Sequence, residues 1–241
     1  MNDNAAGIHV ALIPAKGAST RLPRKNLLPI GGIPLFCRVG RAAQEAEIFD
    51  RVIVSTEDTE IAEVAERWGL DVPFLRPEKL AHDPYQISDV ALHALETLED
   101  EGEKIGAITL LLPTFPFLVS QDMKLSWQRY LESKSSVLIS VSAYPHPPQR
   151  ALVSEDGVHL TPLNHEAMDR STQSFPRAYY PNGAVTIVDA DFLRTNRSLH
   201  GGEYAFFEIP ALRSVDIDTP EDYEFASVLY EGLKKKGLIP Y

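Results

Sequence analysis

The chain has 241 residues, 44% of them hydrophobic, and its 34 acidic against 23 basic side chains leave a formal net charge of -11. That length and apolar content suit one large core, or one core with a small appendage, and exclude a disordered or fibrous protein. The acidic balance argues against nucleic-acid and membrane-surface binding except at a local patch, and a single cysteine, Cys37, excludes an intramolecular disulfide framework and a thiolate zinc site, which predicts a cytoplasmic protein.

The opening residues, MNDNAAG, carry no basic leader, and the apolar run after them is too short for a signal peptide or a membrane span. That run, IHVALIP from Ile8, reads as a buried strand ended by a proline and a glycine loop. PLFCRVGRAAQEAEIF has helical spacing with proline at its start, RVIVST is a second buried strand, and DTEIAEVAERWG is an amphipathic helix opened by Asp58 and closed by Gly69. After the extended VPFLRP, a helix from Ser88 leads to the strand AITLLLP; the helix SQDMKLSWQRYLES leads to the strand SSVLISVSA. Continuous apolar strands alternating with helices predict a mostly parallel sheet covered on both faces, with ligands at the carboxyl ends of its strands.

The rhythm breaks at YPHPPQRALVSEDGVHL, where prolines cluster and EDG separates two short runs fit for a hairpin. HEAMDRSTQSFPRAYYPNG reads as an irregular loop before a strand AVTIV, a short helix near ADFLR and the run AFFEIP. In VDIDTPEDYEFASVLYEGLKKKG a strand precedes a last helix that Thr219 and Asp222 open as a capping box. The whole chain therefore reads as a single domain, residues 1–241, with an insertion over 144–175.

Two clusters carry chemistry. IPAKGASTRLPRKNL places Lys16, Arg21, Arg24 and Lys25 around a loop of small residues, although the protein is acidic. Backbone N–H groups near Gly17, Ala18 and Ser19 can face an anion, and Lys16, Arg21 and Lys25 can neutralise a polyphosphate; the alternative is a solvated basic turn. In VDIDTPED, Asp216 and Asp218 alternate along the expected strand and leave on one face. A divalent cation, Mg2+ or Mn2+, tolerates such a pair, taking one or two carboxylates plus phosphate oxygens; the alternative gives Asp218 to the helix cap and leaves Asp216 solvated.

IPAKGASTRLPRKNL resembles the signature (P/A)ARxGSxRxPxKN of the cytidylyltransferases that activate nine-carbon 2-keto sugar acids: sialic, legionaminic and pseudaminic acids. FDRVIVSTEDTEIAEVA and RPEKLAHD are similar to further family segments, and VDIDTPEDYEFA to its closing segment. LLPTFPFL and QRAL resemble the pseudaminic branch, YYPNGAVTI the sialic and legionaminic one. Two positions depart from the family pattern: Lys16 stands for an arginine, and Leu112 for the glutamine of LQPTSPL.

The resemblance implies a three-layer Rossmann-like nucleotide-diphospho-sugar transferase fold whose insertion serves a homodimer. It implies a reaction of CTP with a nonulosonic acid, pseudaminic acid slightly favoured, giving the CMP-sugar and pyrophosphate. Ala15, Lys16, Gly17, Ser19, Arg21, Lys25, Asn26, Arg76 and Thr114 would hold the nucleotide, with Lys25, Asp216 and Asp218 catalytic and both aspartates on the metal. Gln149, Arg150, Arg170, Tyr179 and Asn182 would hold the sugar acid, the guanidinium groups binding its carboxylate. Phe115 and Phe117 would make their block of the site more apolar, and an ion pair of Arg76 with Asp83 explains those two residues as well as a ligand does. The alternatives are a cytidylyltransferase for an eight-carbon 3-deoxy sugar acid and a non-catalytic nucleotide-binding protein. The histidines show no metal or nucleophile spacing.

Overall fold

The first apolar run forms β1 (Ile8–Pro14), and its alternate side chains serve two cores. Ala11 and Ile13 pack on one face of the sheet, Val10 and Leu12 on the other, as the two-residue period of a strand requires. The computed structural model describes residues 7–201 and 203–241; residues 1–6, with the leaderless start expected above, lie outside the described residues.

After β1 come a loop, a two-stranded hairpin of β2 (Pro29–Ile30) and β3 (Ile33–Pro34), α1 (Leu35–Ala46), β4 (Arg51–Ser55), α2 (Thr59–Arg67), α3 (Ile87–Asp100) and β5 (Ile105–Leu111). Then follow α4 (Ser120–Ser133), β6 (Val137–Ala143), the excursion with β7 (Leu152–Val153), β8 (Thr161–Pro162) and α5 (His165–Met168), β9 (Tyr179–Asp189), α6 (Ala190–Asn196), β10 (Ala205–Glu208) and α7 (Pro220–Lys235). The main sheet runs β10-β6-β9-β5-β1-β4, and only β9 is antiparallel to its neighbours.

The expected three layers form. Residues of α1, α2 and α4 share one core with the sheet, and those of α3 and α6 share the other. Around Ile30, Leu35 and Phe117, α7 closes a third cluster. Phe115 and Phe117 are 1% and 0% exposed, so they serve these cores and do not face a ligand. Among the described residues no helix is long and apolar enough to cross a membrane.

Caps fall where the sequence places them. Asp58 accepts the Ile61 N–H at 3.1 Å, and Thr219 and Asp222 exchange side-chain to backbone bonds with Pro220 in the first turn of α7. Three boundaries differ. The first helix stops at Glu47, which turns left-handed at φ 51, short of the expected Phe49. β9 begins at Tyr179 instead of Ala184, because Tyr179–Pro181 pair with Val141–Ala143 of β6. Residues 215–218, expected as a strand, form none; their course is set by the Ile217 N–H to the Thr114 carbonyl at 3.0 Å and the Asp218 N–H to Asp222 at 3.1 Å.

A polar ring sits inside this core. His9 is 6% exposed and stacks on Trp127 at 3.7 Å between centroids. Its Nδ1 lies 3.1 Å from the Ile48 carbonyl and its Nε2 2.7 Å from the Thr109 hydroxyl. A carbonyl only accepts, so Nδ1 carries the proton and Nε2 accepts from Thr109. Burial pushes the His9 pKa down to about 4, against smaller opposing effects of Ile48 and Asp50. Because the folded value lies below the unfolded one, the contribution is complete above about pH 6.5 and is lost as pH falls toward 4. It amounts to about 3 kcal/mol. Urea unfolding of the protein and of His9→Phe at pH 7 and pH 4.5 should show a steeper acid loss in the unsubstituted chain; equal losses would remove the histidine as the cause.

Candidate active site

From β1 the chain passes to β4 on one side and later returns to β5 on the other. Such a reversal opens a crevice at the carboxyl ends of the strands. Here it is a cleft of about 350 Å³, lined by Lys16, Ser19, Lys25, Asn26, Arg76, Thr114, Asp216 and Asp218 among others.

The loop after β1 supplies the first wall. Ala15 is fully buried and donates its N–H to the Ser55 carbonyl at 3.0 Å, fixing where the loop departs. Asn26, 3% exposed, donates to the Lys16 carbonyl at 2.8 Å, so this asparagine braces the loop from below. Lys16 stands exposed at the rim, and the Ser19 hydroxyl is buried on the wall without a hydrogen-bond partner. A buried orphan hydroxyl facing a cleft suits a ligand oxygen.

One expectation for this loop needs correction. The Gly17 N–H faces an anion, but that anion is Glu57, whose Oε1 accepts it at 2.7 Å. Arg24 adopts the left-handed conformation at φ 55 and pairs with Asp58 and Glu60. It therefore leaves the cation cluster to Lys16, Arg21 and Lys25.

The opposite wall carries the acidic pair. Asp218 accepts from Arg21 Nη2 and Lys25 Nζ, both at 2.6 Å. Desolvation works to raise its pKa, yet the hydrogen bonds and charges of Lys25 and Arg21 prevail and hold it below the usual carboxylate value. Asp216 moves the other way: desolvation in the cleft raises it, with the Asp218 charge adding and a Thr114 hydrogen bond opposing. The residue is nonetheless exposed on the cleft wall. One carboxylate thus has oxygen capacity free and the other is shared with two cations, a donor set that fits a divalent cation able to use one or two carboxylates and complete its shell from phosphate and water.

Arg76 is held by Glu57 through Nε at 3.0 Å and Nη2 at 2.7 Å. Its partner is therefore Glu57 and not Asp83, and sequence reasoning missed the glutamate because nothing in STEDTE marks which acid turns inward. The same holds for Tyr85, Gln86 and His82, which also line the cleft.

The sugar-acid candidates are not brought to this cleft. Gln149 and Arg150 lie in a 3-10 turn of the excursion, where Arg150 lines a separate hollow with Tyr144, Leu163 and Met168. Arg170 stacks over Phe175 at 4.4 Å, and Arg177 pairs with Glu208 at 2.5 Å. Tyr179 packs on Phe206 and Tyr180 on Tyr144. Asn182 Oδ1 accepts from Ser140 Oγ at 2.6 Å and from the Ala184 N–H at 3.1 Å, while its Nδ2 donates to Ser142 at 2.9 Å. These bonds fill the irregularity where β9 loops out opposite Ser140.

A Rossmann-like sheet with cations and paired carboxylates at its reversal point defines a nucleotidyltransferase. The chain belongs to the cytidylyltransferase family, which it matches over residues 10–236. It is 29% identical over 229 residues to the pseudaminic acid cytidylyltransferase of Campylobacter jejuni subsp. jejuni serotype O:2, covering 92% of this chain and 96% of that one. The CMP-N,N'-diacetyllegionaminic acid synthase of Legionella pneumophila is 28% identical, with 95% and 99% covered. A solved CMP:2-keto-3-deoxy-manno-octonic acid synthetase complexed with CTP shares the fold at a TM-score of 0.72 and 18% identity, over 93% of this chain and 99% of that one.

Proposed function

We propose that the protein transfers CMP from CTP to the anomeric hydroxyl of a nonulosonic acid, with pseudaminic acid the favoured substrate. The observation that carries this is one cleft holding Lys16, the orphan Ser19 hydroxyl and Lys25 against Asp216 and Asp218. The sugar assignment draws on the Campylobacter relative, on the segment QRAL and on apolar Leu112 in place of glutamine.

On this reading Lys16, Arg21 and Lys25 bind the triphosphate, and Ser19 donates to one of its oxygens. As phosphate oxygens draw Lys25 and Arg21 away from Asp218, its carboxylate becomes available beside Asp216. Those two residues would hold Mg2+, which when bound neutralises charge developing on the leaving pyrophosphate. The anomeric oxygen forms a bond to the α-phosphorus as the bond to the β-phosphate bridging oxygen breaks, and the hydroxyl proton leaves to solvent or a carboxylate. Catalysis rests on in-line positioning and charge neutralisation.

The excursion exposes Leu152, Val158, Leu160 and Leu163, and this apolar surface supports a homodimer in which Arg150 and Arg170 serve the second copy's cleft. Light scattering that returns the mass of one chain would remove that part. Consumption of CTP fits the cytoplasmic location expected above.

The test is pyrophosphate release with CTP and Mg2+ and, separately, pseudaminic, legionaminic, sialic and 3-deoxy-octulosonic acids. Release fastest with pseudaminic acid is expected. Measurable CTP binding without release from any acid would overturn the enzymatic reading.

A further inference from the structure

Asp216 and Asp218 sit on a stretch that no sheet ladder holds, so their placement depends on the anchors at its two ends. One end is fixed by the Ile217 N–H on the Thr114 carbonyl and the Asp218 N–H on Asp222. The other end follows β10 through a turn in which the Arg213 and Ser214 N–H groups donate to the Pro210 carbonyl at 2.8 and 3.1 Å. Two side chains tie that turn to the rest of the molecule.

The stronger tie is Arg213. Its Nε donates to Asp122 Oδ2 at 2.9 Å and its Nη2 to Oδ1 at 2.7 Å, a two-point fork that fixes orientation as well as distance. Asp122 is buried in the first turn of α4 and also accepts the Val119 N–H at 3.3 Å. Three donors on one buried carboxylate leave it a single orientation. The weaker tie is Ser214, whose hydroxyl accepts from Ser142 Oγ at 2.9 Å, while Ser142 accepts from Asn182 at 2.9 Å. The polar chain that engages Asn182 therefore ends on the same turn.

Neither Arg213 nor Asp122 lines the cleft. Asp216 follows Arg213 by three residues, at most about 11 Å of chain. Val215 and Ile217 pack into the cluster around Phe117, so a displacement of the turn reaches both carboxylates through packed side chains.

We infer that Arg213 is a positioning residue for the reaction: clamped by Asp122, it sets where Asp216 and Asp218 stand relative to the triphosphate. The inference rests on the cytidylyltransferase reading above, in which those carboxylates hold the divalent cation. A group that orients metal ligands from behind governs metal affinity or activity by about 10- to 100-fold. Lysine in its place would keep the charge against Asp122 and lose the fork.

The experiment compares the unsubstituted protein with Arg213→Lys and Arg213→Gln, and with Arg51→Gln as a control. Arg51 pairs with Asp71 and Glu103 from the edge strand β4, and its side chain is 24% exposed against 22% for Arg213. Its replacement reports what losing an ion pair of that exposure does to the fold alone. Mn2+ affinity in the presence of CTP is read from water-proton relaxation, and kcat and KM from pyrophosphate release with the sugar acid used fastest. A thermal melt of each variant accompanies both.

Arg213→Gln should weaken Mn2+ binding and lower kcat by about tenfold or more, with KM for the sugar acid changed less than about threefold. Arg213→Lys should recover part of both losses, and Arg51→Gln should move the melting temperature alone. Where Arg213→Gln is unfolded at the assay temperature, Arg213→Lys decides: losses of about threefold support the inference and no loss overturns it. Mn2+ affinity and kcat unchanged in folded Arg213→Gln, or lowered equally in Arg51→Gln, make Arg213 a structural contact and overturn the inference while leaving the enzymatic reading intact. An unsubstituted protein that binds no Mn2+ with CTP and releases no pyrophosphate with any of the four acids overturns both.

Discussion

Asp218→Asn is expected to lower pyrophosphate release by about a thousandfold, a barrier increase of about 4 kcal/mol, with little change in melting temperature. The substitution keeps the shape of the side chain and removes the charge that Lys25 and Arg21 now share. Stability should respond little, because the Arg21 pair, 66% and 31% exposed, contributes roughly 0–1 kcal/mol, and the amide oxygen of asparagine can still accept from Lys25, whose side chain is 13% exposed. The backbone bond from Asp218 to Asp222 is untouched, so the cap of α7 survives. Catalysis should respond strongly, because a carboxylate beside the reacting phosphate, and any cation it holds, acts mainly in the transition state. Steady-state assays over a Mg2+ series, alongside a thermal melt, separate the two effects. Turnover within threefold of the unsubstituted protein would remove Asp218 from the reaction.

The part of this site that sequence reveals is the part built from short segments. The basic loop and the VDID run each declare their chemistry within a few residues, and the structure brings Lys16, Lys25, Asp216 and Asp218 to one cleft. The alternation of apolar strands and helices declares the layers for a similar reason, since each element's pattern depends on its own burial. What the sequence conceals depends on long-range pairing. Asn182 is expected to hold the sugar acid, yet the sheet irregularity opposite Ser140 engages its amide with Ser140 and Ser142. The arginines of the excursion look ready for a carboxylate, but the local hairpin and short helix hold them against Phe175 and in a separate hollow. Asp216 and Asp218 were expected to share a strand face; they reach one cleft from an irregular segment held by Thr114.

Glu57→Ala is expected to produce the largest loss of stability, about 3–5 kcal/mol, the range for breaking a buried ion pair by removing one partner. Arg76 is 2% exposed and Glu57 10%, so the truncation leaves a guanidinium largely shielded from water and without its counter-ion. It also leaves the Gly17 N–H without its acceptor. For a domain of this size the melting temperature should fall by about 10 °C, and a fall below about 2 °C would show that Arg76 finds other partners. The double variant Glu57→Ala with Arg76→Met separates structure from ligand binding, because replacing both charges by apolar groups removes the buried orphan and should recover most of the stability. CTP affinity measured on that double variant then reports what Arg76 does for the nucleotide. Recovered stability with weakened CTP binding assigns the guanidinium to the ligand. Recovered stability with unchanged binding leaves Arg76 as the post that fixes the loops after β1 and β4 against one another. In either case Glu57 couples the cleft to the fold, since one carboxylate joins the Gly17 N–H of the first loop to the arginine on the cleft wall.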